Sequence, residues 1–170
     1  AEYRTEKRTV TTGCGQGTMF GDLMAELGTI ELPPPGEPGA RIAQGALVRL
    51  LDAVRQQEST YKSAGSVHGC ALFRQHEMLT FVEDVGRHNA LDKLVGALRR
   101  AERGAGFLVL SSRASYELVH KAACAGIGIV VAISAPTTLA IDLAQSSGIT
   151  LVAFARGEQM NVYTHADRIA

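Results

Sequence analysis

Apolar residues gather into three short unbroken runs in the second half of the chain, at residues 106–110, 128–133 and 150–154. As a set they are rich in Val, Ile and Leu and show no alternation, the pattern of strands covered on both faces. Residues 114–125 and 138–147 lie between the runs and read as helices. Strands separated by helices of that length predict βαβ crossovers and a largely parallel sheet. Upstream the spacing changes. Residues 42–57 put Ala43, Leu47, Leu50, Leu51 and Val54 on one helical face. Residues 67–73 and 78–82 read as a hairpin turned across 74–77. A second helix follows, with Leu91, Leu94, Val95 and Leu98 on one stripe and Arg99 and Arg100 near its C-terminus. Residues 31–39, with four prolines, and residues 13–17, with three glycines, are predicted loops.

Together these elements predict an α/β fold, a three-layer sandwich around a mixed, largely parallel sheet. Residues 1–40 are expected to form an N-terminal strand and cysteine loop, and residues 41–170 the α/β domain. The chain opens on Ala1 rather than Met and runs directly into a strand-like stretch, residues 3–10. It is therefore expected to start inside a longer protein.

Composition narrows the function. The 170 residues include 17 basic and 17 acidic ones, so the formal net charge is zero, which argues against a nucleic-acid binder or a polybasic membrane protein. Hydrophobic residues make up 46% and charged residues 20%, a globular rather than disordered balance. Aromatic residues are only 5% and Trp is absent, so base-stacking platforms are not expected. The apolar runs are too short to span a bilayer, and a cytoplasmic location is expected. Cys14, Cys70 and Cys124 are too few and too scattered for a disulfide scaffold. No structural metal is expected either, because the paired-thiol spacing of zinc sites is missing.

Four segments carry candidate chemistry. In Thr11-Thr12-Gly13-Cys14-Gly15-Gln16-Gly17 one thiol sits among glycines. It is either an incidental small residue or a nucleophile or sulfur carrier that must reach two partners in turn. Cys70, in a strand-like run, and Cys124, in an alanine-rich helix, read as packing residues. Glu83-Asp84-Val85-Gly86-Arg87-His88-Asn89 lies between a strand and a helix. A capped helix start explains Asp84 and Gly86, and it leaves Arg87, His88 and Asn89 converging where the helix begins. His88 stands three residues before Leu91, so it is either a core histidine or a ligand-facing one. Two hydroxyl-rich loops, residues 111–115 and 134–138, follow strands, where open parallel sheets bind ligands. Residues 154–163 read as strand, glycine turn, strand, either an edge hairpin or a place for Arg156 to meet a phosphate.

These motifs resemble the FdhD family of formate dehydrogenase accessory sulfurtransferases. The resemblance rests on Glu83 to Ala90 with Asp92-Lys93, Ser112-Arg113-Ala114-Ser115, Ser134-Ala135-Pro136, and Arg156-Gly157 followed by Met160-Asn161-Val162-Tyr163. It covers residues 14–163 in order. It implies a cytidine deaminase-like fold and a cytoplasmic homodimer. Such a protein accepts sulfur from a cysteine desulfurase as a cysteine persulfide and passes it to the molybdenum bis-molybdopterin guanine dinucleotide, bound as substrate, for apo-formate dehydrogenase. Cys14 falls where the family has its loop cysteine and is the implied persulfide carrier. Phe154, Ala155, Arg156, Gly157, Glu158 and Gln159 match the part of the family associated with cofactor binding, at its guanine nucleotide end. Residues 83–89, 111–115 and 154–159 are expected to build the pocket together, with Arg87, His88, Asn89, Ser112 and Arg113 in it, Arg87, Arg113 and Arg156 neutralising phosphates and His88 assisting protonation of the leaving thiolate.

Two comparisons sharpen that expectation. Many family members have a second cysteine three residues after the first, where this chain has Gly17. A relay between two thiols is therefore impossible within the motif, although one persulfide is chemically sufficient. A non-covalent chaperone that holds the cofactor and docks it on the apo-enzyme is the alternative. Family members also carry an N-terminal segment that is largely absent here. A zinc deaminase needs His-x-Glu and Pro-Cys-x-x-Cys, whereas His68-Gly69-Cys70 and Pro136-Thr137-Thr138-Leu139 lack the Glu and both thiolates.

Overall fold

The computed structural model describes residues 8–10, 18–20, 32, 34, 40–74, 77–100 and 106–170. Strands β1 (Arg8–Val10) and β2 (Thr18–Phe20) form a small antiparallel pair of their own. The main sheet has six strands: β3 (His68–Arg74), β4 (Glu77–Asp84), β5 (Phe107–Leu110), β6 (Ile129–Ala132), β7 (Thr150–Arg156) and β8 (Gln159–Val162). Their order is β4-β3-β5-β6-β7-β8. The sheet is mixed, as expected, but it is not largely parallel: only β5–β6 and β6–β7 pair parallel, while β3 runs antiparallel to both its neighbours and β8 to β7. Hairpins flank the parallel pairings, because a connection of two residues returns a chain antiparallel to itself.

The helices are α1 (Gln44–Gln56), the short α2 (Thr60–Ala64), α3 (Arg87–Arg100), α4 (Tyr116–Cys124) and α5 (Thr138–Ser147). A 3-10 turn at Ala166–Arg168 ends the fold. Alternation along the strands sorts the core into two layers. Cys70, Leu72, Leu108, Leu110, Val130 and Leu151 pack against buried faces of α3, α4 and α5. Ala71, Phe73, Val109, Val131 and Val152 pack against Ala46, Leu47, Leu50 and Leu51 of α1. Three layers result, as the sequence predicts.

Two helix starts differ from the sequence reading. The first helix begins at Gln44 rather than 42, because Ile42 is held in a parallel bridge to Ile169 of the C-terminal tail. The helix expected from 114 begins at Tyr116, because Ala114 first bridges Pro136. The apolar run ending at 154 continues as strand to Arg156. The loop expected at 13–17 lies outside the described residues, as does most of 31–39. Among the described residues, no helix is long and apolar enough to cross a membrane.

Candidate functional site at the carboxyl edge of the sheet

The parallel strands β5, β6 and β7 all point their carboxyl ends to one edge of the sheet. Because β3 runs opposite to β5, its first residues, His68 and Gly69, reach the same edge, and so does the end of β4, where Asp84 pairs with His68. The segments around Glu83, Ser112, Ser134 and Phe154 are thus brought to one edge from four separate parts of the chain. Backbone bonds run along it. Ser111 N–H donates to Gly69 O (2.9 Å), and Gly69 N–H donates to Ser111 Oγ (2.8 Å). Ala114 N–H donates to Ala135 O and Thr137 N–H to Ala114 O (3.2 and 3.0 Å), while Phe154 N–H reaches Ser134 O (3.3 Å).

At the β4–α3 connection the Asp84 carboxylate closes the turn. Its Oδ1 accepts from Gly86 N–H (2.9 Å) and Asn89 Nδ2 (3.3 Å), and Oδ2 pairs with Lys93 Nζ at 2.5 Å. The Lys93 hydrogen bond, then that from Gly86, hold its carboxyl down at about 2. Asn89 therefore serves the turn through its amide. Arg87, the first residue of α3, is partly buried, and its Nε is buried without a hydrogen-bond partner. His88 turns inward to α4, with Nε2 3.8 Å from Glu117 Oε2. Burial lowers its affinity for a proton, opposed chiefly by the Glu117 charge. His68, on the sheet face that α3 covers, is lowered as well, by burial and then by the Arg87 charge. Both imidazoles are thereby biased to the neutral form.

The remaining predicted residues take unequal positions. Ser112 is buried and its hydroxyl donates to Arg113 O, whereas Arg113 is exposed. In the β7–β8 hairpin Phe154 is exposed and has φ 53°, at an irregularity in pairing between Ala153 and Arg156. Ala155 is buried in the α1-side core, so its side chain packs rather than lines the edge. Arg156, Glu158 and Gln159 are exposed around Gly157, whose φ of 60° makes the turn. Arg87 and Arg156 do not meet. From β4 to β7 is four strand spacings, roughly 19 Å.

Of the cysteines, Cys14 lies outside the described residues, in the connection between β1 and β2. Cys70 is buried among apolar side chains, which pushes its thiol up to about 12 and leaves it inert, in keeping with a packing residue. Cys124 corrects the packing expectation. It is exposed at the end of α4, with Sγ 3.7 Å from His120 Nε2, because the helix's apolar stripe is taken by Leu118, Val119, Ala122 and Ala123. Among the described residues, no three His, Cys, Asp or Glu side chains gather as a metal site.

Glu117 and His68 are the residues of this edge that the sequence reading leaves without a role. The signal for Glu117 was its spacing: Glu117 and Lys121 lie four apart on α4, as His88 and Asp92 do on α3.

The family model for the FdhD/NarQ family matches residues 1–170. The chain belongs to the FdhD/NarQ family. It is 44% identical over 160 residues to the sulfur carrier protein FdhD of Mycobacterium bovis, covering 92% of this chain and 56% of that protein. Its identity to the sulfur carrier protein FdhD of Xanthomonas campestris is 46% over 161 residues, with 93% and 56% covered. The chain thus spans a little over half the length of these relatives. A crystal structure described as a putative formate dehydrogenase accessory protein from Desulfotalea psychrophila superposes with a TM-score of 0.71 at 29% identity, over 76% of this chain and 59% of that one.

Proposed function

We propose that the protein is a cytoplasmic sulfurtransferase that carries sulfur as a persulfide on Cys14 from a cysteine desulfurase to a molybdenum bis-molybdopterin guanine dinucleotide, its substrate. The sulfurated cofactor then serves apo-formate dehydrogenase. The observation that carries this reading is the convergence of all four family motifs among the described residues on one edge of the sheet. Membership in a family whose relatives are named sulfur carriers supplies the reaction class.

In the loading step, the Cys14 thiolate attacks the outer sulfur of the donor's persulfide. One S–S bond forms on Cys14 as another breaks, and the donor leaves as a thiolate. A cysteine flanked by glycines suits such a step, since it has little side-chain cover. The span from Arg87 to Arg156 exceeds a single nucleotide and suits an extended, multiply phosphorylated ligand. Arg87, Arg113 and Arg156 would neutralise its phosphates, with the guanine end toward the β7–β8 hairpin. His88 would return a proton to the Cys14 thiolate when the sulfur departs. The same reading includes a homodimer.

The test uses the full-length protein with a cysteine desulfurase and cysteine. Intact mass is expected to gain one sulfur atom, and Cys14→Ala to abolish both that gain and the support of formate dehydrogenase activity. Support that persists in Cys14→Ala would point instead to a non-covalent cofactor chaperone. Arg156→Ala is expected to weaken guanine nucleotide binding by about tenfold; unchanged binding would move the nucleotide away from this hairpin.

A further inference from the structure

Helices α3 and α4 both start at the carboxyl edge and run the same way across one face of the sheet. Two polar rungs join them. In the outer rung Lys121 Nζ lies 2.7 Å from the Asp92 carboxylate, with the lysine half-buried and the aspartate exposed. In the inner rung, one turn closer to the edge, His88 faces Glu117 with each side chain only about a quarter exposed. The spacing of four residues on both helices sets the rungs in register, so the outer pair fixes the rotation of the helices and aims the inner one.

The inner rung differs from a simple helix tie. His88 Nε2 is buried and has no hydrogen bond, and at 3.8 Å the Glu117 carboxylate is close enough for charge but too far for a hydrogen bond. Buried polar atoms in that condition are rare. Long contacts of this kind are common in unliganded sites, where they tighten once the ligand is bound. The charged groups that act on His88 are Glu117 and Lys121 from α4 and Arg87 and Asp92 from its own helix. Asp92 is engaged by Lys121. Glu117 is therefore the carboxylate that addresses the imidazole.

We infer that Glu117 is a positioning residue for the edge: its carboxylate holds the His88 ring by Nε2, leaving Nδ1 as the nitrogen that serves the substrate. The inference rests on the proton-returning role given to His88 above. When His88 carries a proton, Nε2–H closes on Glu117 and Nδ1–H is the donor. Once the Nδ1 proton has passed to a thiolate, the neutral ring keeps its hydrogen on Nε2, the tautomer that the Glu117 carboxylate favours. Glu117 acts only through His88, as a carboxylate behind an imidazole orients the ring and favours its charged form.

The experiment follows the imidazole resonances of the full-length protein by NMR across pH, in the wild type, Glu117→Gln and Glu117→Asp. In Glu117→Gln the His88 midpoint is expected to move to lower pH, because the charge that opposes burial is gone, while the His68 midpoint stays in place. Glu117→Asp should restore part of the shift. An unmoved His88 midpoint in Glu117→Gln, with the protein folded, would overturn the inference. So would an equal move of His68. A parallel readout tests the underlying reading. The alkaline limb of the pH profile for sulfur transfer should move to lower pH in Glu117→Gln, with a loss on the order of tenfold near neutrality. A moved midpoint with an unmoved limb would uphold the positioning by Glu117 and remove His88 from the transfer step.

Discussion

The Asp84 carboxylate ties three neighbours together at the start of α3: the Gly86 N–H, the Asn89 amide and the Lys93 ammonium. Its carboxyl is held at about 2 against an ordinary 3.8, so the folded form takes up a proton less readily than the unfolded one. The resulting stabilisation is fully present above about 3.8 and is lost as pH falls through about 2. Asp84→Asn is accordingly expected to lower the urea midpoint at pH 7, and the gap from wild type should close between pH 4 and pH 2. A gap that stays constant with pH would mean the charge contributes nothing. At this scale the sequence was informative about which residues gather and poor on what each one does. Arg87, His88 and Asn89 were legible as a cluster beside a helix start. That Asn89 closes a turn while His88 points at α4 depends on rotamers and on how two helices pack. Neither is written in local spacing. Cys124 was misread for a related reason: the alanines around it fill the buried stripe and leave its own position outside.

Elements were more legible, because burial on both faces leaves a plain mark on a strand. The three apolar runs became β5, β6 and β7, and the helix expected over 138–147 is α5 at those limits. The early helix starts failed where residues distant in sequence claim the backbone first, as Ile169 claims Ile42 and Pro136 claims Ala114. Gly106 shows a constraint of the same kind. It enters β5 directly against β3, and a Cβ there would lie 1.8 Å from the Phe73 carbonyl oxygen, a backbone atom that cannot step aside. Gly106→Ala must push β3 and β5 apart at one end of their pairing. A loss of about 3 kcal/mol is expected, or a melting temperature lower by roughly 6–12 °C. A change of less than about 1 kcal/mol in chemical denaturation would show that the strands separate there at little cost.

Across the whole molecule, the sheet sets its hairpins at the flanks and its crossover-linked strands in the middle. That arrangement gathers the carboxyl ends of β5, β6 and β7, and it was legible in the sequence only in part. The alternation of runs and helices gave the crossovers. The placement of β3 between β4 and β5 did not follow, because strand order is decided by which neighbour completes the core. The same arrangement has a consequence in time. Each hairpin, β3–β4 and β7–β8, closes over a short turn, whereas β5 must wait for α4 before it meets β6, and β6 for α5 before it meets β7. Contacts distant in sequence carry the larger closure entropy and form later. Pulse-labelled hydrogen exchange during refolding is expected to protect the amides shared by β3 and β4 before those shared by β5 and β6; protection of both sets in a single phase would contradict that order. The edge on which sulfur transfer is proposed to depend draws on both hairpins and the central strands, and is then complete only once the crossover-linked strands have paired.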